Sequence, residues 1–80
     1  MADDDLPLLP ADAPAPGRYR HHKGTEYEVV GHVLHSETLE WLVLYHPVDR
    51  PAPLWVRPLT MFVEQVQVGG ASVPRFARLP

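Results

Sequence analysis

The sequence predicts a small all-β domain, a partly open barrel of about five short, bent antiparallel strands with one short helical turn. Three observations predict it. From Gly17 onward no stretch repeats apolar residues at helical spacing for long enough to make a major helix, while short runs of β-branched and aromatic residues recur. Glycine, proline and polar turn residues cut those runs at close intervals. Finally, 80 residues without a cysteine must be held by one hydrophobic core and no staples, and curling a small sheet builds that core while removing exposed edges. The alternative architecture is a curved sheet whose free edge is buried by a second copy.

Residues 1–16 combine Asp3, Asp4, Asp5 and Asp12 with Pro7, Pro10, Pro14 and Pro16. This composition favours extended, solvated chain, so the segment is expected to be a disordered tail ahead of a single domain at 17–80. Arg18 to Lys23 alternates as a strand: Tyr19 and His21 face inward, and Arg18, Arg20 and His22 face outward as a charged, solvated edge. Residues 26–34 form the next strand, with Gly31 marking a bulge or sharp bend. Residues 40–45 pair with it as an antiparallel hairpin closed by 36–39, which sets His35 opposite Glu40 at the base of the loop.

Pro47, Pro51 and Pro53 make 47–53 a surface loop, because proline has no amide to donate to a ladder. The next strand, 54–57, ends at Pro58, and alternation puts the Trp55 and Arg57 side chains on one face. A helical turn at 60–62 leads into a strand at 62–68, and Gly69-Gly70 turns the chain toward a last short strand around Arg75-Phe76. Phe76 is expected to close the bottom of the core, and Arg75 to make a fixed ion pair.

Charge and composition exclude several function classes. The net charge of −3 comes from the acidic tail. Between Gly17 and Phe76 six bases (Arg18, Arg20, Lys23, Arg50, Arg57, Arg75) balance six acids (Glu26, Glu28, Glu37, Glu40, Asp49, Glu64). Such a neutral domain lacks the surplus of cations that general nucleic-acid binding requires. The longest apolar runs are far too short to cross a bilayer, and the acidic start lacks a signal-peptide pattern. With no cysteines, a cytoplasmic location is the expectation.

Gly17-Arg18-Tyr19-Arg20-His21-His22-Lys23-Gly24, Tyr27-Glu28-Val29, His35-Ser36-Glu37-Thr38-Leu39-Glu40, Val43-Leu44-Tyr45, Trp55-Val56-Arg57-Pro58, Met61-Phe62 and Arg75-Phe76 occur in that order along the chain. Together they resemble DUF1653, a mostly bacterial family of short domains of unknown function, from Gly17 to Phe76. The resemblance implies an SH3-type barrel and no reaction. One position departs from the family pattern, which has an aromatic residue where this chain has His22.

The candidate ligand-binding residues are His21, Lys23, Glu37, Glu40, Tyr45, Trp55 and Arg57, which sit near strand ends or loops where a small barrel presents ligands. A guanidinium grips a carboxylate or phosphate through two parallel hydrogen bonds, and an indole face offers stacking area. The competing account is structural: Arg57 pairs with Glu37 or Glu40 to finish the hairpin while Trp55 fills the core. For a divalent metal the first choices are His21, His35 and Glu40, although their spacing matches no metal signature, and a histidine capping a loop is the commoner use.

Catalysis has fewer supports. Ser36 beside His35 has no nucleophile elbow around it, and Glu37 and Glu40 are carboxylates of a solvated turn. The leading expectation is therefore a noncatalytic binding module, without cofactor, with a shallow pocket for a small anion, a peptide terminus or a partner's side chain. The alternative is a structural or interaction domain, monomeric or weakly dimeric, acting through an edge strand and apolar residues such as Leu42, Leu54 and Met61. A metal-assisted hydrolase comes third.

Overall fold

The computed structural model describes residues 6–80, so the triple aspartate of the tail lies outside the described residues. Seven strands and one helical turn follow in chain order: β1 Gly17–His21, β2 Glu26–Leu34, β3 Trp41–Pro47, β4 Trp55–Pro58, α1 Leu59–Phe62, β5 Gln65–Val68, β6 Ala71–Pro74 and β7 Phe76–Arg78. Five of them form an antiparallel sheet in the order β4-β3-β2-β1-β7, and β5 and β6 form a separate two-stranded sheet. The fold is all-β with one short helical turn, and the sheet does not close into a barrel.

Closure is prevented by the chain between β4 and β7. After Pro58 the backbone winds into α1, whose Leu59 and Phe62 are buried in the core. Phe62 thus belongs to the helical turn, and the strand expected at 62–68 is shortened to β5. Gly69 and Gly70 both adopt positive φ, 57° and 81°, the backbone of a tight hairpin turn that only glycine adopts without strain. They fold 71–74 back onto β5 as β6, an additional strand between the expected glycine turn and the last strand.

Each element of the main sheet follows from its alternation. In β1, Tyr19 is buried while Arg18 and Arg20 face outward. These two reach their directly paired residues on β2 as ion pairs, Arg18–Glu28 at 3.5 Å and Arg20–Glu26 at 3.1 Å. The register of β2 against β3 slips between Val29 and Gly31, leaving Val30 as the extra residue of a bulge. A bulge changes the side-chain parity of the strand. Tyr27 and Val29 face the core before it, and afterwards His32 and Leu34 lie opposite the core-side Val43 and Trp41. The loop base matches expectation, with the His35 amide donating to the Glu40 carbonyl at 2.9 Å.

The core is a layer of Tyr19, Val29, Val43, Tyr45, Leu59, Phe62 and Phe76 on the concave side of the sheet. Phe62 and Phe76 stack with centroids 4.0 Å apart and planes 1° from parallel, and Tyr19 and Tyr45 each meet Phe62 edge-on at 5.6 Å. Phe76 is 7% exposed, and Arg75 bonds Glu64 at 3.0 Å, as the sequence leads one to expect.

Residues 6–16 contain no helix or strand, yet they lie against the sheet. Their carbonyls accept hydrogen bonds from Trp41 Nε1 (to Leu8, 3.1 Å), Tyr19 Oη (to Ala15, 2.8 Å) and Arg78 Nη1 (to Ala15, 3.2 Å), and Pro14 O lies 2.6 Å from His32 Nε2. Pro14 is buried and Ala13 packs on the core. The segment covers the concave face at the end nearest the β2–β3 loop.

Candidate functional site

The other end of the concave face stays open. Tyr45 pairs with Trp55 and Val43 with Arg57, so the core-facing parity of β3 carries both β4 side chains onto the concave side. From β1 and β7, His21 lies opposite Phe76, and Tyr27 stands opposite Tyr19. These residues form a shallow aromatic cup. Tyr27 meets Tyr45, Trp55 and Phe76 at centroid distances of 5.4, 5.9 and 5.7 Å, and His21 meets Phe76 edge-on at 5.0 Å. Trp55 remains 38% exposed while Tyr45 is buried. A small hollow of about 60 Å³ adjoins Trp55, walled by Pro47 at the end of β3 and Pro53 of the loop between β3 and β4.

Arg57 is the charged group of the cup. Its Nε donates to Tyr45 Oη at 3.2 Å, and its guanidinium carbon lies 5.3 Å from the Phe76 centroid. Because Phe62 stacks on Phe76 face to face, the guanidinium takes the ring face that Phe62 leaves free. Among the described residues Arg57 pairs with no carboxylate, whereas Arg18, Arg20 and Arg75 each have one. The expectation that Arg57 pairs with Glu37 or Glu40 is therefore corrected: Arg57 stands opposite Val43, three residues along β3 from Glu40, but its side chain is engaged by Tyr45 and the Phe76 ring instead.

His21 Nδ1 accepts the Lys23 amide at 3.2 Å, which fixes the ring at the turn after β1 and leaves Nε2 as the donor of the neutral imidazole. Its pKa lies below the ordinary 6.5, chiefly because burial disfavours the charged form and further because His22, Arg57, Arg75 and Lys23 are positive or become so nearby. Arg75, although bonded to Glu64 through Nη2, leaves its buried Nε without a partner. The open end of the concave face is thus a positive environment with no carboxylate among the groups that act on His21.

The candidate residues divide by position. His21, Tyr45, Trp55 and Arg57 converge on the cup, with the charge of Lys23 near its rim. Glu37 and Glu40 belong to the β2–β3 loop, and β2 separates them from His21 by its nine residues, roughly 25–30 Å at about 3.3 Å each. The same distance dissolves the metal set His21, His35 and Glu40, and no group of three potential ligands occurs among the described residues. His35 instead caps its loop, Nδ1 accepting the amides of Glu37 at 3.1 Å and Thr38 at 3.2 Å. Tyr27 and Phe76 are cup residues that the motif-based choice passed over. Tyr27 stands two residues before buried Val29, and that spacing was its sequence signal.

Comparison with known proteins adds a family and a fold. A family model described as "Protein of unknown function (DUF1653)" matches residues 17–78. The chain is also similar to a solved structure, the crystal structure of a DUF1653 protein from Bordetella bronchiseptica, at 37% identity and a TM-score of 0.73 over 81% of this chain and 86% of that one. No curated protein matches.

Proposed function

The chain belongs to the DUF1653 family, and on that premise we propose that it is a noncatalytic binding module whose aromatic cup takes a small anion or the carboxylate of a peptide terminus or partner side chain. The observation that carries this reading is Arg57, a cation held over Phe76 and beside exposed Trp55 with no carboxylate partner among the described residues. Tyr45 and Phe76 hold the guanidinium in place from one side, so little side-chain entropy is lost when an anion meets its free edge. Trp55 and Tyr27 offer a wall on which the group bearing that anion stacks, and neutral His21 adds an N–H donor. A cysteine-free chain suits a reducing compartment, and a cytoplasmic location is part of the proposal.

The test is an amide NMR titration of the full chain with acetate and with a short peptide bearing a free C-terminal carboxylate, repeated on Arg57→Ala. Shifts clustered at His21, Tyr27 and Trp55 to Arg57, lost in the variant while its melting temperature holds, support the cup. A silent spectrum, or a variant that unfolds, would make Arg57 a structural residue.

A second reading has its own observation. Strand β4 is a sheet edge that exposes Trp55 (38%) and Val56 (53%), with Leu54 just before it (50%) and Met61 just after it (43%), and it carries none of the charges that usually protect an edge, save Arg57 turned onto the concave face. Pairing of two β4 edges would join two copies. Leu42, expected to share that surface, is half-buried. Sedimentation across a wide concentration range reads this directly.

A further inference from the structure

A hollow roomier than the one beside Trp55 lies apart from it. It is a cleft of about 350 Å³ between the β5–β6 hairpin and the outward face of the β1–β7 edge, within the size range of small-molecule sites. Val68 and Val73 of the hairpin form one wall, Ala77 and Leu79 the other, and Arg20 and His22 stand at its mouth.

The hairpin explains why the cleft exists. Val66 pairs with Val73 and Val68 with Ala71, so one face of this two-stranded sheet is wholly aliphatic. A two-stranded sheet is marginal unless such a face is covered. Here β5 and β6 bond only to each other, and the link to the main chain path is the Arg75 amide bonded to the Glu64 carbonyl at 2.9 Å. The valine face is left half-covered, with Val68 47% exposed.

The charge at the mouth selects the occupant. No carboxylate lines the cleft, whereas a guanidinium and the imidazoles of His21 and His22 do. Arg20 is already bonded to Glu26, while the exposed His22 ring lies against the His21 ring, with centroids 4.4 Å apart. A polar imidazole there gives the apolar cleft a hydrogen-bonding end. We propose that the cleft binds an alkyl carboxylate, its aliphatic chain between the valine face and Ala77 and Leu79, its carboxylate at His22 and Arg20. The site shares His21 with the cup and is otherwise lined by different residues.

The experiment is an amide NMR titration of the full chain with three probes: octanoate, octylamine with the same tail and opposite charge, and acetate with the same head and no tail. Octanoate should give saturable shifts at His22, Gly24, Val68, Val73 and Ala77, with octylamine weaker by about tenfold or more. Acetate should leave the Val68, Val73 and Ala77 amides still, whatever it does at His21 and Arg57, so the fate of the cup and of the cleft are read separately. Ala77→Leu, which fills the cleft from an exposed position, should remove the octanoate response, and Val68→Asp on the opposite wall should do the same. Absence of saturable shifts with octanoate, equal binding of octylamine, or an unchanged response in both variants would overturn the proposal.

Discussion

Phe76 has Phe62 stacked on one face and the Arg57 guanidinium on the other, so one side chain joins the core to the cup. Its removal should open a cavity beside the remaining ring and cost about 3–5 kcal/mol. In a domain of this size that lowers the melting temperature by well over 10 °C or abolishes folding, since each kcal/mol is worth roughly 4–8 °C; a thermal scan of Phe76→Ala that falls within a few degrees of the parent would contradict the packing. Arg57 differs, because it packs on Phe76 from the open side and donates one bond to Tyr45. Arg57→Ala should weaken anion binding in the cup by about tenfold or more, as loss of a charged contact does, with a much smaller shift in melting temperature.

His21 adds a pH dependence whose sign is fixed. Its folded-state pKa is below the 6.5 of the unfolded chain, through burial first and the positive neighbours second. The unfolded state therefore takes up a proton first as the pH falls. The stability contributed by neutral His21 is full above pH 6.5 and is lost as the pH drops from there through the folded-state value. NMR titration of the His21 ring should give a midpoint below 6.5, and saturating acetate should move it upward, because an anion in the cup favours the charged ring. A midpoint that ignores acetate would mean that the anion does not reach the cup.

Among the elements, the β5–β6 hairpin depends most on two residues. Gly69 and Gly70 hold φ of 57° and 81°, where a Cβ costs about 1–2 kcal/mol. Gly70→Ala should lower the melting temperature by several degrees and broaden the amide signals of Gln65 to Pro74. Gly31→Ala is the control. Its backbone is not left-handed and a Cβ there meets nothing within 4 Å, so its effect should stay within about 0.5 kcal/mol. The strand Gln65–Val68 was legible as a strand, and its partner Ala71–Pro74 was not, because Ala-Ser-Val-Pro has little β propensity of its own. The glycine pair in front of it decides its direction, and its backbone bonds come from β5 alone.

At the scale of the whole molecule, the segment 8–16 completes one end of the core that the sheet cannot close by itself. Its carbonyls satisfy Trp41, Tyr19 and Arg78, and buried Pro14 covers the face near the β2–β3 loop. Deleting residues 1–7 should leave the melting temperature within a few degrees. Deleting 1–16 should lower it markedly, because the freed donors lose their partners and the apolar face meets water. Equal stability of the two truncations would show that the segment adds nothing to the fold.

Local chemistry alone determined much of this protein. Alternation turned Tyr19, Trp55 and Arg57 to one side and Arg18 and Arg20 to the other, Gly31 marked the bulge, Pro58 marked the end of the strand before the helical turn, and the ordered motifs indicated the family. These features depend on residues close in sequence, where backbone sterics and side-chain period act directly. Which motif residues meet was decided by the tertiary structure. Strand pairing brought His21, from the start of the domain, beside Phe76, from its end, while the length of β2 carried Glu37 and Glu40 away from both. A Pro-rich segment whose composition favours solvated chain was given a place by carbonyls that distant side chains could reach. Such long-range matches of donors and surfaces leave no local period in a sequence, since they exist only once the sheet has curved.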